Sequence, residues 1–166
     1  MFDSIVIATD GSAHGDRALD LACSLLSAQT ARLTVVHVIE LVGGKGGVYP
    51  RAADEDLRRK SIEAQVSELQ KAGLTAHLLT PTVRLGGPAH AIAEAAEAAK
   101  ADLIVVGTRG HSLISKVVLG SVSMRLLQVA HCPVLVVPLP EEREGTTSPA
   151  DLWRQEPSSE VTPPAS

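Results

Sequence analysis

Apolar positions along the chain alternate between two forms, short unbroken runs and longer stretches with a period of three to four residues. Residues 4–9 are a run of the first kind and end in Asp10, Gly11 and Ser12, which is loop chemistry. Residues 15–29 show the second kind, with Ala18, Leu21, Ala22, Leu25 and Leu26 on one helical face. Residues 33–39 return to a strand rich in β-branched side chains. Residues 54–72 predict a charged amphipathic helix. Leu57, Ile62, Val66 and Leu69 fit its inward face, and Arg58, Arg59, Lys60, Glu63 and Glu68 its solvated one. Gly73 stands where a C-terminal cap belongs. A third strand covers 75–83, with Pro81 marking a break or an edge. Gly86, Gly87 and Pro88 open an alanine-rich helix over 90–100, followed by a strand at 102–106. A helix at 121–130 and a fifth strand at 133–137, bounded by Pro133 and Pro138, complete the pattern.

Strands alternating with helices predict an α/β fold, a three-layer sandwich around a five-stranded, doubly wound parallel sheet with right-handed crossovers. Ligands of such sheets bind beyond the strand C-termini, where strand order reverses. The loops at 10–12 and 107–110 both follow strand C-termini. If strands one and four are neighbours at the reversal, these loops face each other.

Two glycine-rich stretches compete as phosphate sites. Gly43, Gly44, Lys45, Gly46 and Gly47 look like a P-loop, but that motif needs four residues between its glycines and a Ser or Thr after the Lys. Residues 41–53 read better as a flexible crossover loop able to close over a ligand. The second stretch follows the apolar run Leu103 to Val106 and reads Gly107, Thr108, Arg109, Gly110, nine residues, then Gly120, Ser121 and Val122. Glycines admit close backbone approach, and free N–H groups at a helix start favour anions. Ser121 is able to cap its helix and still leave N–H groups for a phosphate. A plain tight turn before a helix is the competing reading of the glycines, and a turn residue or cap that of Asp10.

Composition narrows the function. One Phe, one Tyr and one Trp leave a core of Val, Ile, Leu and Ala and argue against a base-stacking nucleic-acid platform. Residues 139–166 hold two basic and six acidic residues. They account for the whole net charge of −4 and leave a neutral body, so no basic patch points to DNA or RNA. That segment, rich in Pro, Ser and Thr, is expected to be a disordered tail beyond a domain at 1–138, with Leu152 and Trp153 its notable apolar pair. Cys23 and Cys132 form no CxxC pair and read as small buried hydrophobes of a reducing compartment. The opening strand begins almost at Met1, and no apolar run nears the ~18 residues that span a bilayer. A cytoplasmic protein with no membrane partner is expected.

The Gly107–Gly110–Gly120–Ser121 spacing is complete. With the strand ending at Thr9 and Asp10, the strand at Val36, His37 and Val38, and the closing Cys132, Pro133 and Val134, the chain over about 1–138 resembles the universal stress protein family in its nucleotide-binding branch. That resemblance implies the adenine nucleotide alpha hydrolase-like fold, ATP bound between the first and fourth strands, Mg²⁺ with it, and a homodimer through the last strand at 133–137. Carried over by position, Asp10 meets the ribose or a magnesium-linked network, and the Val38 backbone meets the adenine. Ala8 and Thr9 line the same wall. Val106, Gly107, Thr108 and Gly110 approach ribose and phosphates, and Gly120, Ser121 and Val122 hold the phosphates.

Arg109, Lys116 and Arg125 are within possible reach of a triphosphate or are ordinary exposed charge, and His14 and His111 are either phosphate donors or solvated loop residues. No catalytic Ser-His-Asp, Cys-His or paired-carboxylate arrangement and no metal-ligand spacing stands out. The expected function is a regulatory ATP-binding protein of the stress response, with a protein partner unspecified. A weak ATP hydrolase or adenylyl-transferring enzyme, and a nucleotide-free dimer module, are the alternatives; ADP, AMP or a cyclic nucleotide fits the glycines equally.

Overall fold

Strand β1 (Ser4–Ala8) has all 5 residues buried and runs through the middle of the sheet. The structure is a computed structural model that describes residues 1–27, 30–44, 47–84, 87–108 and 119–138. Its elements after β1 are α1 (Ala13–Leu25), β2 (Arg32–Val36), β3 (Ile39–Gly44), β4 (Gly47–Pro50) and α2 (Glu55–Lys71). Then come β5 (Thr75–Leu79), β6 (Thr82–Val83), α3 (Gly87–Ala98), β7 (Leu103–Gly107), α4 (Ser121–Val129) and β8 (Val134–Val137). The principal sheet is parallel, with 5 strands in the order β5-β2-β1-β7-β8, so strand order reverses between β1 and β7.

Side-chain alternation divides the core into two layers. Ile5, Ile7, Leu33, Val35 and Val105 pack with Ala18, Leu19 and Ala22 of α1 and with Ile62 and Val66 of α2. Val6, Ala8, Val36, Ile104 and Val106 pack with Ala89, Ile92, Ala93 and Ala96 of α3 and with Leu126 of α4. A strand covered on both faces needs apolar residues at every position, which is why the sequence shows continuous runs instead of alternation. The three-layer α/β sandwich expected from the sequence is the fold observed.

Local differences have local causes. Helix α1 stops at Leu25, where Leu26 turns extended and its N–H donates to Cys23 O. Gly73 closes α2 at φ 89°, and Leu74 N–H donates back to Leu69 O, the expected C-cap geometry. Leu57 points outward at 71% exposure, and the buried position at that end of α2 belongs to Glu55.

The stretch expected as a loop after residue 41 contains an antiparallel hairpin, β3 with β4, in which Val42 faces Tyr49 and Gly44 faces Gly47. β6 pairs in parallel with β3 and completes a small 3-stranded sheet. Pro81 does separate two strands, β5 and β6. The expected tail at 139–166, with Leu152 and Trp153, lies outside the described residues, as do Lys45, Gly46, Arg109, Gly110, His111 and Lys116.

Candidate functional site

The C-terminal ends of β1, β2 and β7 form the floor of a cavity of about 560 Å³, within the range of small-molecule sites. Ala8, Val36 and Val106 supply the floor, and Pro88 and Ile92 of α3 one apolar wall. Arg51 lines it from the segment after β4, Glu55 and Arg58 from the start of α2, and Leu119 to Ser123 close it from the start of α4. One side is therefore apolar and the other charged.

At the α4 end, Gly120 is the N-cap residue and Ser121 the first helical residue, so the serine does not cap the helix as its sequence position suggested. The first intrahelical bond is Met124 N–H to Gly120 O at 2.9 Å. The amides of Ser121, Val122 and Ser123 consequently have no intrahelical acceptor, and the helix dipole adds to their attraction for an anion. Ser123 Oγ donates to Gly107 O at 2.8 Å and locks α4 onto the end of β7.

Between β1 and β2 the ladder ends with Thr9 N–H donating to Val36 O at 3.0 Å. Beyond it, His37 N–H donates to Leu79 O and Ile39 N–H to Pro81 O, both at 2.9 Å and both away from β1. Backbone alternation therefore turns the N–H and C=O of Val38 the other way, toward the cavity that Val38 lines. A planar heterocycle with a donor beside an acceptor matches such an edge.

Asp10 lines the cavity, and its Oδ1 accepts from Ser12 N–H at 3.1 Å. Asp10 therefore makes the turn expected from the sequence and also borders the cavity. Thr9 Oγ1 accepts from Gly11 N–H, and a Cβ on Gly15 would fall 2.2 Å from that oxygen, so the loop and the first turn of α1 interlock. Gly107 lines the cavity too, but a Cβ there would lie 2.9 Å from His14 Cβ and 3.0 Å from His14 O. Its glycine thus serves the close approach of α1. Thr108 is not part of the lining; its N–H donates to Val137 O and its carbonyl accepts from Gly120 N–H at 2.7 Å. Of the residues marked in the sequence, Ala8, Thr9, Asp10, Val38, Val106, Gly107, Gly120, Ser121 and Val122 come together around one cavity.

No spacing or periodicity in the chain marks His37 and Glu55 as a pair. His37, 3% exposed, places Nδ1 3.0 Å from Thr9 O and Nε2 2.5 Å from Glu55 Oε1. Glu55, 8% exposed, is the first residue of α2. Arg51 bonds Glu40 at 2.9 Å, and Arg58 Nε stands 2.9 Å from Asp54 Oδ1. His37–Glu55 and Arg51–Glu40 join segments that no periodicity of the chain brings together, whereas Asp54 and Arg58 are an i,i+4 pair at the start of α2.

Residues 1–138 match the universal stress protein family. The chain belongs to that family. A universal stress protein of Thermus aquaticus is 38% identical over 143 residues, covering 82% of this chain and 99% of the relative. Among solved structures, a universal stress protein in complex with cAMP is similar with a TM-score of 0.57 and 30% identity, over 82% of this chain and 97% of that one. The universal stress protein of Archaeoglobus fulgidus in complex with dAMP is similar with a TM-score of 0.56 and 26% identity, over 81% and 96%. Among the described residues no helix is long and apolar enough to cross a membrane.

Proposed function

We propose that the chain is a regulatory ATP-binding universal stress protein whose bound nucleotide alters its shape or its choice of partner. The observation that carries this reading is the cavity at the β1–β7 reversal, with helix amides that have no intrahelical acceptor at one end and the outward Val38 backbone at the other. An anionic chain suits the first end and an adenine edge the second. The cAMP and dAMP bound by two similar proteins support an adenine ligand.

Among the described residues no group of three or more His, Cys, Asp or Glu could hold a metal ion. Mg²⁺ would therefore arrive on the phosphates, with Asp10 as the lining carboxylate nearest the turn, and neutralise phosphate charge there. Residues 1–138 form the nucleotide unit, 139–166 a separate tail, and the exposed edge of β8 the homodimer contact. Work on ATP puts the protein in the cytoplasm.

Hydrolysis is slow or depends on a partner. His37 engages both ring nitrogens and is not available as a general base. Sustained turnover abolished by Asp10→Ala would favour the enzyme reading instead. A second reading, a mononucleotide ligand, draws on the single phosphate of the cAMP and dAMP bound by those relatives. Mass spectrometry of the copurified ligand and thermal shifts with ATP, ADP, AMP and cAMP separate the two readings. ATP is expected to give the largest rise in melting temperature, absent in Gly110→Glu. A rise with no nucleotide sinks the proposal.

A further inference from the structure

We propose that the buried His37–Glu55 pair is the positioning element that makes the cavity selective for the nucleoside end of its ligand. The proposal rests on the nucleotide reading of that cavity. Parallel strands β1 and β2 part after Thr9 N–H reaches Val36 O, and the cavity opens in the gap. His37 spans this gap with its side chain. Nδ1 faces the carbonyl of Thr9, which only accepts, so Nδ1 carries a proton and the ring orientation is fixed. Nε2 meets Glu55 Oε1, and one proton serves that contact whichever atom holds it.

The ring thereby ties together three separate pieces of the cavity wall. Thr9 precedes Asp10 at the end of β1, Val38 follows His37 directly, and Glu55 begins α2, whose Arg58 lies against Gly11. Its burial makes the brace stiff, since water does not compete for its bonds and an unpaired partner would be left in a dry site. The brace sets the spacing between the Val38 edge and the Asp10 turn. It does not touch the amides of Ser121 to Ser123, which hold the anionic end at the far side of the cavity. Loss of the brace should therefore cost base recognition and spare phosphate recognition.

Two substitutions each keep half of it. His37→Asn retains a donor at the position of Nδ1 but falls short of Glu55, and His37→Gln reaches Glu55 but releases Thr9. Each variant strands one former partner in the buried site, so its fold is checked by circular dichroism before binding is read. Calorimetric titration with ATP, GTP and inorganic tripolyphosphate is the measurement. Each variant is expected to bind ATP at least about tenfold more weakly and to lose the preference for ATP over GTP, with tripolyphosphate affinity held within roughly twofold. Glu55→Ala should behave alike, and Glu55→Gln should recover most of what Glu55→Ala loses, because its amide can donate to an unprotonated Nε2.

Wild-type ATP affinity and base preference in both His37 variants overturn the proposal, as does a parallel loss of ATP and tripolyphosphate. Should the variants fail to fold, the His37 ring nitrogens of the wild type are read by NMR: ATP shifts them and tripolyphosphate does not, and resonances blind to ATP overturn it. A wild-type protein that takes tripolyphosphate without preferring ATP sinks the nucleotide reading itself, before any variant is compared.

Discussion

Gly107 illustrates how a residue that lines the cavity answers first to its own neighbours. In the sequence it reads as room for a nucleotide, but the nearest atoms to an added Cβ belong to His14, partly backbone, at 2.9–3.1 Å. Backbone gives way less readily than a side-chain tip. Gly107→Ala is therefore expected to destabilise the fold by about 1–3 kcal/mol, read as a lower urea midpoint, before any effect on ligand is counted. The two thiols give a second expectation at this scale. Burial pushes both Cys23 and Cys132 up from the ordinary thiol range, and Asp20 and Asp102 respectively add to the shift. A raised value keeps the proton on sulfur, so native-state alkylation by iodoacetamide at pH 8 should be slower than that of the unfolded chain and should accelerate as pH rises. In stability, the native form binds its thiol protons more tightly than the unfolded form, so stability declines as pH climbs from the unfolded value through the native one. Equal alkylation rates in native and urea-unfolded protein would refute this. Both thiols are half-buried, short of the small buried hydrophobes expected from residue type alone, and the His14–Gly107 contact joins distant parts of the chain and leaves no local mark.

The helices and central strands were legible because each buries a full face, which imposes a period on the residues. Ile62 and Val66 follow that rule; Leu57 breaks it, since the start of α2 borders the cavity and the sheet does not cover it. The hairpin β3–β4 was obscured by its own glycines, which read as a loop although Val42, Val48 and Tyr49 between them form strands. Helix α4 carries the sharpest prediction for an element. Gly120 holds extended backbone (φ −59°, ψ 154°) at the N-cap with no side chain to accept from the first-turn amides. Aspartate fits that conformation and caps helices better than glycine by a few tenths of a kcal/mol, roughly. Gly120→Asp should thus keep or slightly raise the melting temperature while its carboxylate takes the amides proposed for phosphate. The thermal shift on adding ATP is expected to vanish in this variant. A shift equal to the wild type would mean that the anion sits elsewhere.

Across the whole molecule, the arrangement of the sheet sets both the place of the cavity and the edge proposed for a second chain. Placing β1 beside β7 follows from the order of alternating strands and helices, and it gathers residues near positions 10, 38, 107 and 120 around one opening. The same order leaves β8 at an edge. Ile104 N–H donates to Pro133 O and Thr108 N–H to Val137 O, so the odd-numbered residues of β8 turn their backbone toward β7. Val134 and Val136 therefore present their N–H groups outward, and Val134, Leu135 and Val136 are only half-buried. Met124 and Leu127, on the neighbouring α4, add exposed apolar surface at 46% and 50%. Among the described residues no strand covers this edge, and an apolar edge of this kind pairs readily with a second copy. Proline at 136 removes an outward donor without touching the inner ladder, because edge strands tolerate proline on their solvent side. Sedimentation equilibrium should then give twice the 17.3 kDa chain mass for the wild type and 17.3 kDa for Val136→Pro, with the circular dichroism spectrum and the ATP-induced thermal shift retained. A wild type that sediments as a single chain would leave the β8 edge without its proposed partner, and loss of the thermal shift in Val136→Pro would show that the edge and the cavity are coupled.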